Sequence, residues 1–252
     1  MADTDSPSDA RQSTPAKPFL SRLIGVFIEP GETFEDIARK PDWISPLILL
    51  ILVSLATVET MLAKIGMARI IMQQLTQSGQ AARMDPAQLN QAVQRGASIA
   101  GIFVQVAAVF GAPIVLLVVA GIGLLVLNGL FGQHARFKQV FSTACYAYMP
   151  HILGAAMAIP LMIFGDPNAF VAQTPAPTSP GFFMNPATSS HVAYALASSL
   201  DIFTIWFLVL LAIGLSRVSE KKAKTASIFL VFAGAWVLLI IAKVGFALLT
   251  GR

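Results

Sequence analysis

Charge is scarce in this chain. Of 252 residues only 12% are Asp, Glu, Lys or Arg, while 56% are hydrophobic. A soluble globular domain carries about 25% charged residues. With a mean hydropathy of +0.71, the composition is that of an integral membrane protein. Cysteine is almost missing. Cys145 alone excludes an internal disulfide and a cysteine-based metal cluster, and in its apolar segment it reads as a small core residue. The three histidines, His134, His151 and His191, fall on separate segments and build no metal site. A glycine-rich phosphate loop before a helix and a nucleophile elbow are both absent. Only one Asp lies deep in an apolar stretch, so intramembrane proteolysis by paired acids is excluded. The chain therefore reads as non-enzymatic, with no cofactor. Basic runs mixed with aromatics are missing too, which argues against a nucleic-acid partner. The net charge of +4 and pI near 9.4 are what loops facing anionic lipid produce.

The first 18 residues lack an early basic region and an apolar core, so they are no signal peptide. With three Asp, three Ser and three Pro, they cannot bury enough surface to offset chain entropy and read as a disordered tail.

Against these absences stand long apolar runs. A helix crossing the hydrocarbon needs about 20 apolar residues. Four runs qualify cleanly: Ser45 to about Gly66, Val140 to Phe164, Tyr194 to Ser216 and Ala226 to Leu249. In the first, Ser45 is placed to cap and Pro46 to open the helix, with Trp43 at the interface. The run Ser98–Phe131 holds 34 residues without a charge. As one helix it would be about 51 Å long, so it either turns at residues 110–114 and crosses twice, or tilts, kinks at Pro113 or extends beyond the bilayer. Charge decides between the two. With five spans, eleven Lys and Arg fall on the N-terminal side and four on the other; six spans give nine to six at best. The excess of positive charge on cytoplasmic loops favours five spans, a cytoplasmic N-terminus and an external C-terminus, in the inner membrane of the cell. Small residues in the second span, such as Gly111, Ala120, Gly121 and Gly123, either allow close helix contact or are ordinary membrane-helix residues.

The fold class that follows is all-α: an integral membrane bundle of five transmembrane helices at 45–249, preceded by short interfacial helices at 19–44. Phe19, Leu20, Leu23, Ile24, Phe27 and Ile28 share a helical face. Pro30-Gly31 breaks it, and Thr33 with Asp36 resembles a capping box for a second short helix. Such a pair lies in the membrane interface or docks a cytosolic partner, and the two roles are compatible. Asp85-Pro86 starts a helix leading into the second span. The Pro-rich loop 166–190 reads as flexible. The basic segment 216–225 reads as a topology determinant.

Ionisable groups at bilayer depth cost several kcal/mol and face a partner, a cavity or water. Here they are Glu59, Lys64, His151, Asp201 and Lys243. Lys64 sits at a helix end and can snorkel. Counting 1.5 Å per residue, Glu59 and Lys243 land at similar depth, which permits an ion pair. His151 and Asp201 differ by only a few Å on the same count, so Asp201 is expected to hydrogen-bond His151 or a nearby tyrosine, with Ser198, Ser199 and Thr204 of its own segment as local alternatives. Tyr148, three residues before His151, shares its face. Asp201 then glues helices together. The rival role is a proton or substrate relay, for which one Asp and one His make a thin path.

Three blocks, residues 22–49, 137–154 and 200–219, resemble the recurring blocks of bacterial Yip-domain proteins. The marks are Pro30 with Thr33-Phe34, then Phe137 with Tyr148-Met149-Pro150, then Leu200-Asp201 with Trp206 and Gly214. The resemblance implies five transmembrane helices and a cytosolic N-terminus. Eukaryotic relatives associate with Rab-type GTPases through cytosolic regions. Their Asp-Leu-Tyr-Gly-Pro segment is replaced here by "ARKPDWISP", so the resemblance carries no Rab partner. For prokaryotic members it implies a topology without an established activity. The expected function is non-enzymatic assembly, with the lipid bilayer and with other membrane proteins or a cytosolic protein at the inner face; a homo-oligomer stays open. The alternative is a small permease or an accessory subunit of an exporter, which a polar cavity lined by Tyr148, His151 and Asp201 would favour.

Overall fold

A computed structural model describes residues 17–220 and 222–250. All but the last two residues of the expected disordered tail lie outside the described residues. Among the described residues the regular elements are all helical.

The chain opens with a hairpin of short helices, α1 (Phe19–Ile28) and α2 (Pro30–Arg39). Pro30 occupies the first helical position of α2, where its fixed φ and missing N–H cost nothing. The expected capping box is therefore not used: the N-cap is Glu29, and Thr33 is buried inside the helix. Asp36 is spent elsewhere, on Arg22.

The first span, α3 (Ile44–Lys64), also starts sooner than its sequence suggested. The capping oxygen belongs to Asp42, not Ser45. Its Oδ1 accepts from the Ile44 and Ser45 amides at 3.2 and 3.4 Å. Gly66, at φ +82°, ends the helix in a conformation other residues disfavour. After α4 (Met67–Gln77), Asp85 caps α5 (Pro86–Leu124) by accepting from the Gln88 amide at 2.8 Å, with Pro86 in its first turn. The helix runs straight through Pro113 and into a wider π-turn at Leu125–Leu130. It is one helix, not two spans. Its 45 residues rise roughly 65 Å, about twice the hydrocarbon thickness, so it extends beyond the bilayer. Of its small residues, Ala120 is buried and Gly123 faces Val140 and Leu215, while Gly101, Gly111, Gly121 and Gly129 meet nothing.

The third crossing is interrupted. α6 (Phe137–Ala147) and α7 (Pro150–Phe164) flank Tyr148-Met149. Pro150 cannot donate, and the turn tightens there: His151 N–H reaches the Tyr148 carbonyl and Ile152 N–H the Met149 carbonyl. The fourth crossing is broken outright. α8 (His191–Ala197) and α9 (Ile202–Val218) meet at 45° across residues 198–201. The last helix is α10 (Thr225–Thr250). Among the described residues four helices are long and apolar enough to cross a membrane, or five if the bent pair α8–α9 is counted as one span.

The packing divides the bundle. At the hairpin end, α6 is buried at every residue from Val140 to Ala147, and α9 buries Leu210, Leu211 and Leu215. α2 lies across both. Phe34, fully buried, sits on Gly214. A Cβ on Gly214 would come within 2.9 Å of the Phe34 ring. Aromatic contacts extend the seam: Phe27 meets Trp206 edge-on at 5.5 Å, and Trp43 meets Phe141 at 5.7 Å. At the loop end a smaller cluster of Ile65, Ile70, Ala158, Met162 and Ala176 closes the core. The loop 166–190 is less free than its composition suggested. Thr174, Ala176, Ser179 and Gly181 are buried, and Gly181 rests against the Ser198 backbone.

Candidate functional site at two helix interruptions

Asp201 does not lie inside a helix. It is the N-cap of α9, placed there by the break in the fourth crossing. Its Oδ1 accepts from the Thr204 amide at 2.9 Å and the Thr204 hydroxyl at 3.3 Å. The neighbouring α9 N–H, that of Ile202, donates instead to the Thr178 carbonyl of the descending loop. A carboxylate and a loop carbonyl thus satisfy donors that a helix start leaves open. The acid in the apolar run is first of all a cap.

The expected hydrogen bond from Asp201 to His151 or Tyr148 is not formed; capping holds the carboxylate to its own helix. His151 approaches the Tyr148 carbonyl with Nδ1 at 3.3 Å. Its ring stacks on the Tyr148 ring at 3.9 Å with 7° between planes, and Phe207 meets both edge-on. His151 and Asp201 nevertheless share a space. Together with Thr57, Thr204, Gly154 and the loop 173–179 they line a cavity of about 340 Å³. Tyr148 is outside its lining. Gly154 makes room for Phe203, whose ring would lie 3.2 Å from an added Cβ.

Glu59 and Lys243 are not paired with each other. Glu59 accepts from Gln105 at 3.1 Å. Lys243 donates to the Ser198 and Ser199 hydroxyls at 3.1 and 2.9 Å. Similar depth put the two groups at one level but on helices with other neighbours. Lys243 instead marks the α8–α9 break from outside the cavity. The glutamine-rich segment before α5 shares a second hollow of about 540 Å³ with Gln173, His191 and Tyr194.

At the hairpin end lies a site that the sequence reading missed. Asp36, expected in a capping box, and Arg22, for which the sequence suggested no partner, are buried against each other. Nε and Nη2 of Arg22 both reach Asp36 Oδ2 at 2.8 Å, with side-chain exposures of 3% and 6%. Nη2 also donates to the Lys40 carbonyl. The Tyr146 hydroxyl is turned toward Arg22 and Asp42 without completing a hydrogen bond. The fourteen-residue separation of Arg22 and Asp36 across a Pro-Gly break was the available signal. Beside the pair, Glu35 approaches Arg217 at 3.7 Å, and Gln139 donates to the Ala38 carbonyl. A cleft of about 540 Å³ between them carries Glu35, Arg39, Arg217 and Glu220.

The residues marking the sequence resemblance therefore sit at structural junctions: Phe34 on Gly214, Tyr148-Met149-Pro150 at one interruption, Leu200-Asp201 at the other, Trp206 against Phe27. The family model of the Yip1 domain matches residues 24–242. The chain belongs to the Yip1 family. No curated protein and no solved structure matches the chain. The Yip1 domain thus takes in the second half of α1, α2 through α9 and most of α10, and both helix interruptions fall inside it.

Proposed function

We propose that this Yip1-family membrane protein works without catalysis, by assembling with another membrane protein through its hairpin end. One observation carries the reading. The α1–α2 hairpin is closed on itself by the buried Arg22–Asp36 ion pair and seated on the bundle by Phe34 against Gly214, yet α1 turns Leu20, Ile24 and Ile28 away from it. These side chains are 67%, 58% and 72% exposed and follow one another at four-residue spacing along one helix face. A hairpin held this firmly presents a preorganised apolar row, which lowers the ordering cost of association. The adjoining cleft with Glu35, Arg39, Arg217 and Glu220 adds charge of both signs for matching a partner. The Yip1 family is not known as an enzyme family, which supports the non-catalytic reading. The eleven-to-four charge distribution supports a cytoplasmic hairpin end and an external C-terminus in the inner membrane. The permease alternative is served less well, because the inward half of the bundle below the cavity is filled by Val140–Ala147 and Leu210–Leu215.

A photo-crosslinking residue at Ile24, with a control at the exposed Leu239 of α10, tests the proposal in intact membranes. A discrete protein adduct from position 24 and none from 239 is the expected result. Lipid adducts alone at both positions would reduce the hairpin to a membrane anchor and overturn the assembly reading.

A further inference from the structure

We infer that the cavity between α7 and α9 is a binding site for a small organic ammonium ion. The argument counts which hydrogens are already spoken for. His151 Nδ1 faces the Tyr148 carbonyl. A carbonyl can only accept, so the ring proton sits on Nδ1 and Nε2 is left as an acceptor. The Thr57 hydroxyl donates to the Val53 carbonyl, and the Thr204 hydroxyl donates to Asp201. Toward the cavity both present lone pairs. Asp201 uses Oδ1 for its capping bonds, while Oδ2 accepts nothing from the described residues. The nearby cation, Lys243, donates to Ser198, itself a lining residue, and to Ser199, and forms no ion pair with Asp201 among the described residues.

The part of the lining formed by His151, Thr57, Thr204 and Asp201 therefore presents acceptors, and its one carboxylate has no ion-pair partner among the described residues. A ligand matched to it donates hydrogen bonds and brings positive charge, because a charge-assisted bond to a carboxylate is about twice as strong as a neutral one. An alkylammonium group does both with three N–H donors. The space matches: about 340 Å³ is at the small end of ligand pockets and far more than a bare metal ion occupies. Groups of three or more His, Cys, Asp or Glu that could hold a metal are absent among the described residues. Phe203, Pro175, Ala155 and Ala158 provide an apolar wall for a short carbon chain. The ammonium arrives either as a free amine or as the headgroup of an aminophospholipid. The inference does not rest on the assembly reading, since it concerns the opposite end of the molecule.

Asp201→Asn separates binding from folding. Asparagine caps helices as well as aspartate does, so its amide oxygen keeps the Thr204 bonds while the charge goes. Full-length protein in phosphatidylglycerol nanodiscs is titrated with ethanolamine and, as a neutral control of similar size, ethylene glycol, followed by saturation-transfer NMR. Expected are saturable ethanolamine binding, none for ethylene glycol, and at least a tenfold loss in Asp201→Asn at an unchanged melting temperature. His151→Phe, which keeps the ring stack but removes the acceptor, should lose severalfold. Ethanolamine binding that is equal in wild type and Asp201→Asn, or absent in both, overturns the inference. So does an Asp201-dependent sodium signal that ethanolamine does not displace. Repeating the titration in nanodiscs containing phosphatidylethanolamine assigns the source: suppressed ethanolamine binding identifies the lipid headgroup, undiminished binding the free amine.

Discussion

The two ends of this bundle solve the problem of polar groups in an apolar protein in opposite ways. At the hairpin end, charges are neutralised within the chain. Arg22 and Asp36 face each other at 2.8 Å in an almost sealed site, with the fully buried Tyr146 beside Arg22. At the loop end, helices are broken and the donors so released are met by a side chain and a loop, leaving a cavity with spare acceptors. One end pairs its charges within the chain; the other leaves a carboxylate oxygen facing a cavity. Packing follows the same division. The large core cluster draws on α1, α2, α5, α6, α9 and α10, whereas the loop-end cluster has five buried members.

The largest expected effect lies in the ion pair. Removing one partner leaves the other charge buried, which costs about 3–5 kcal/mol. Arg22→Ala or Asp36→Ala should release the hairpin. Amides of 19–39 should then exchange with deuterium while those of α9 stay protected. The paired replacement Arg22→Met with Asp36→Leu should restore most of the protection, because an apolar pair of similar bulk needs no counter-charge. If either single variant kept wild-type protection, the hairpin would be held by its apolar contacts alone, and the contrast between the ends would weaken.

Gly214→Ala probes the same surface with a smaller step. The new methyl group would meet Phe34 and Thr143, and overpacking of this kind costs about 1–3 kcal/mol. The expected outcome is a lowered midpoint in a denaturant titration in detergent. Combining it with Phe34→Leu should recover part of the loss. The equivalent change at Gly121, which meets nothing, should leave the midpoint unchanged.

How legible this was in the sequence depends on range. The spans were readable because about 20 apolar residues in a row have few other uses, and the Asp85-Pro86 start was readable because a cap acts within three residues. The hairpin's docking was not. The amphipathic pattern of 19–28 shows that one face is buried but not against what, and nothing in it pairs Arg22 with Asp36 until α2 folds back onto α1. The breaks were hidden for a related reason. Residues 194–216 are apolar enough to read as one helix, and hydropathy does not register that Asp201 serves better as a cap than as an interior residue. Depth counting along a continuous helix placed Asp201 near enough to His151 to share a cavity, but the partner it takes is the local alternative, Thr204. Glu59 and Lys243 failed similarly: depth is one coordinate, and pairing needs the angle around the bundle as well.

The smallest effect belongs to the open end and tests whether Asp201 is a cap at all. Asp201→Ala deletes the acceptor for the Thr204 amide, and loss of an N-cap costs about 1 kcal/mol. Asp201→Asn should cost only a few tenths of that, since the amide oxygen can still accept. Thermal melts in nanodiscs should therefore rank wild type and Asn together and Ala below them. The opposite ranking of wild type and Asn, with the amide clearly more stable, would mean that the unneutralised charge strains the empty site more than the cap supports it. The loop end would then be held by Thr178, Gly181 and the descending loop, with the carboxylate retained for the ligand alone.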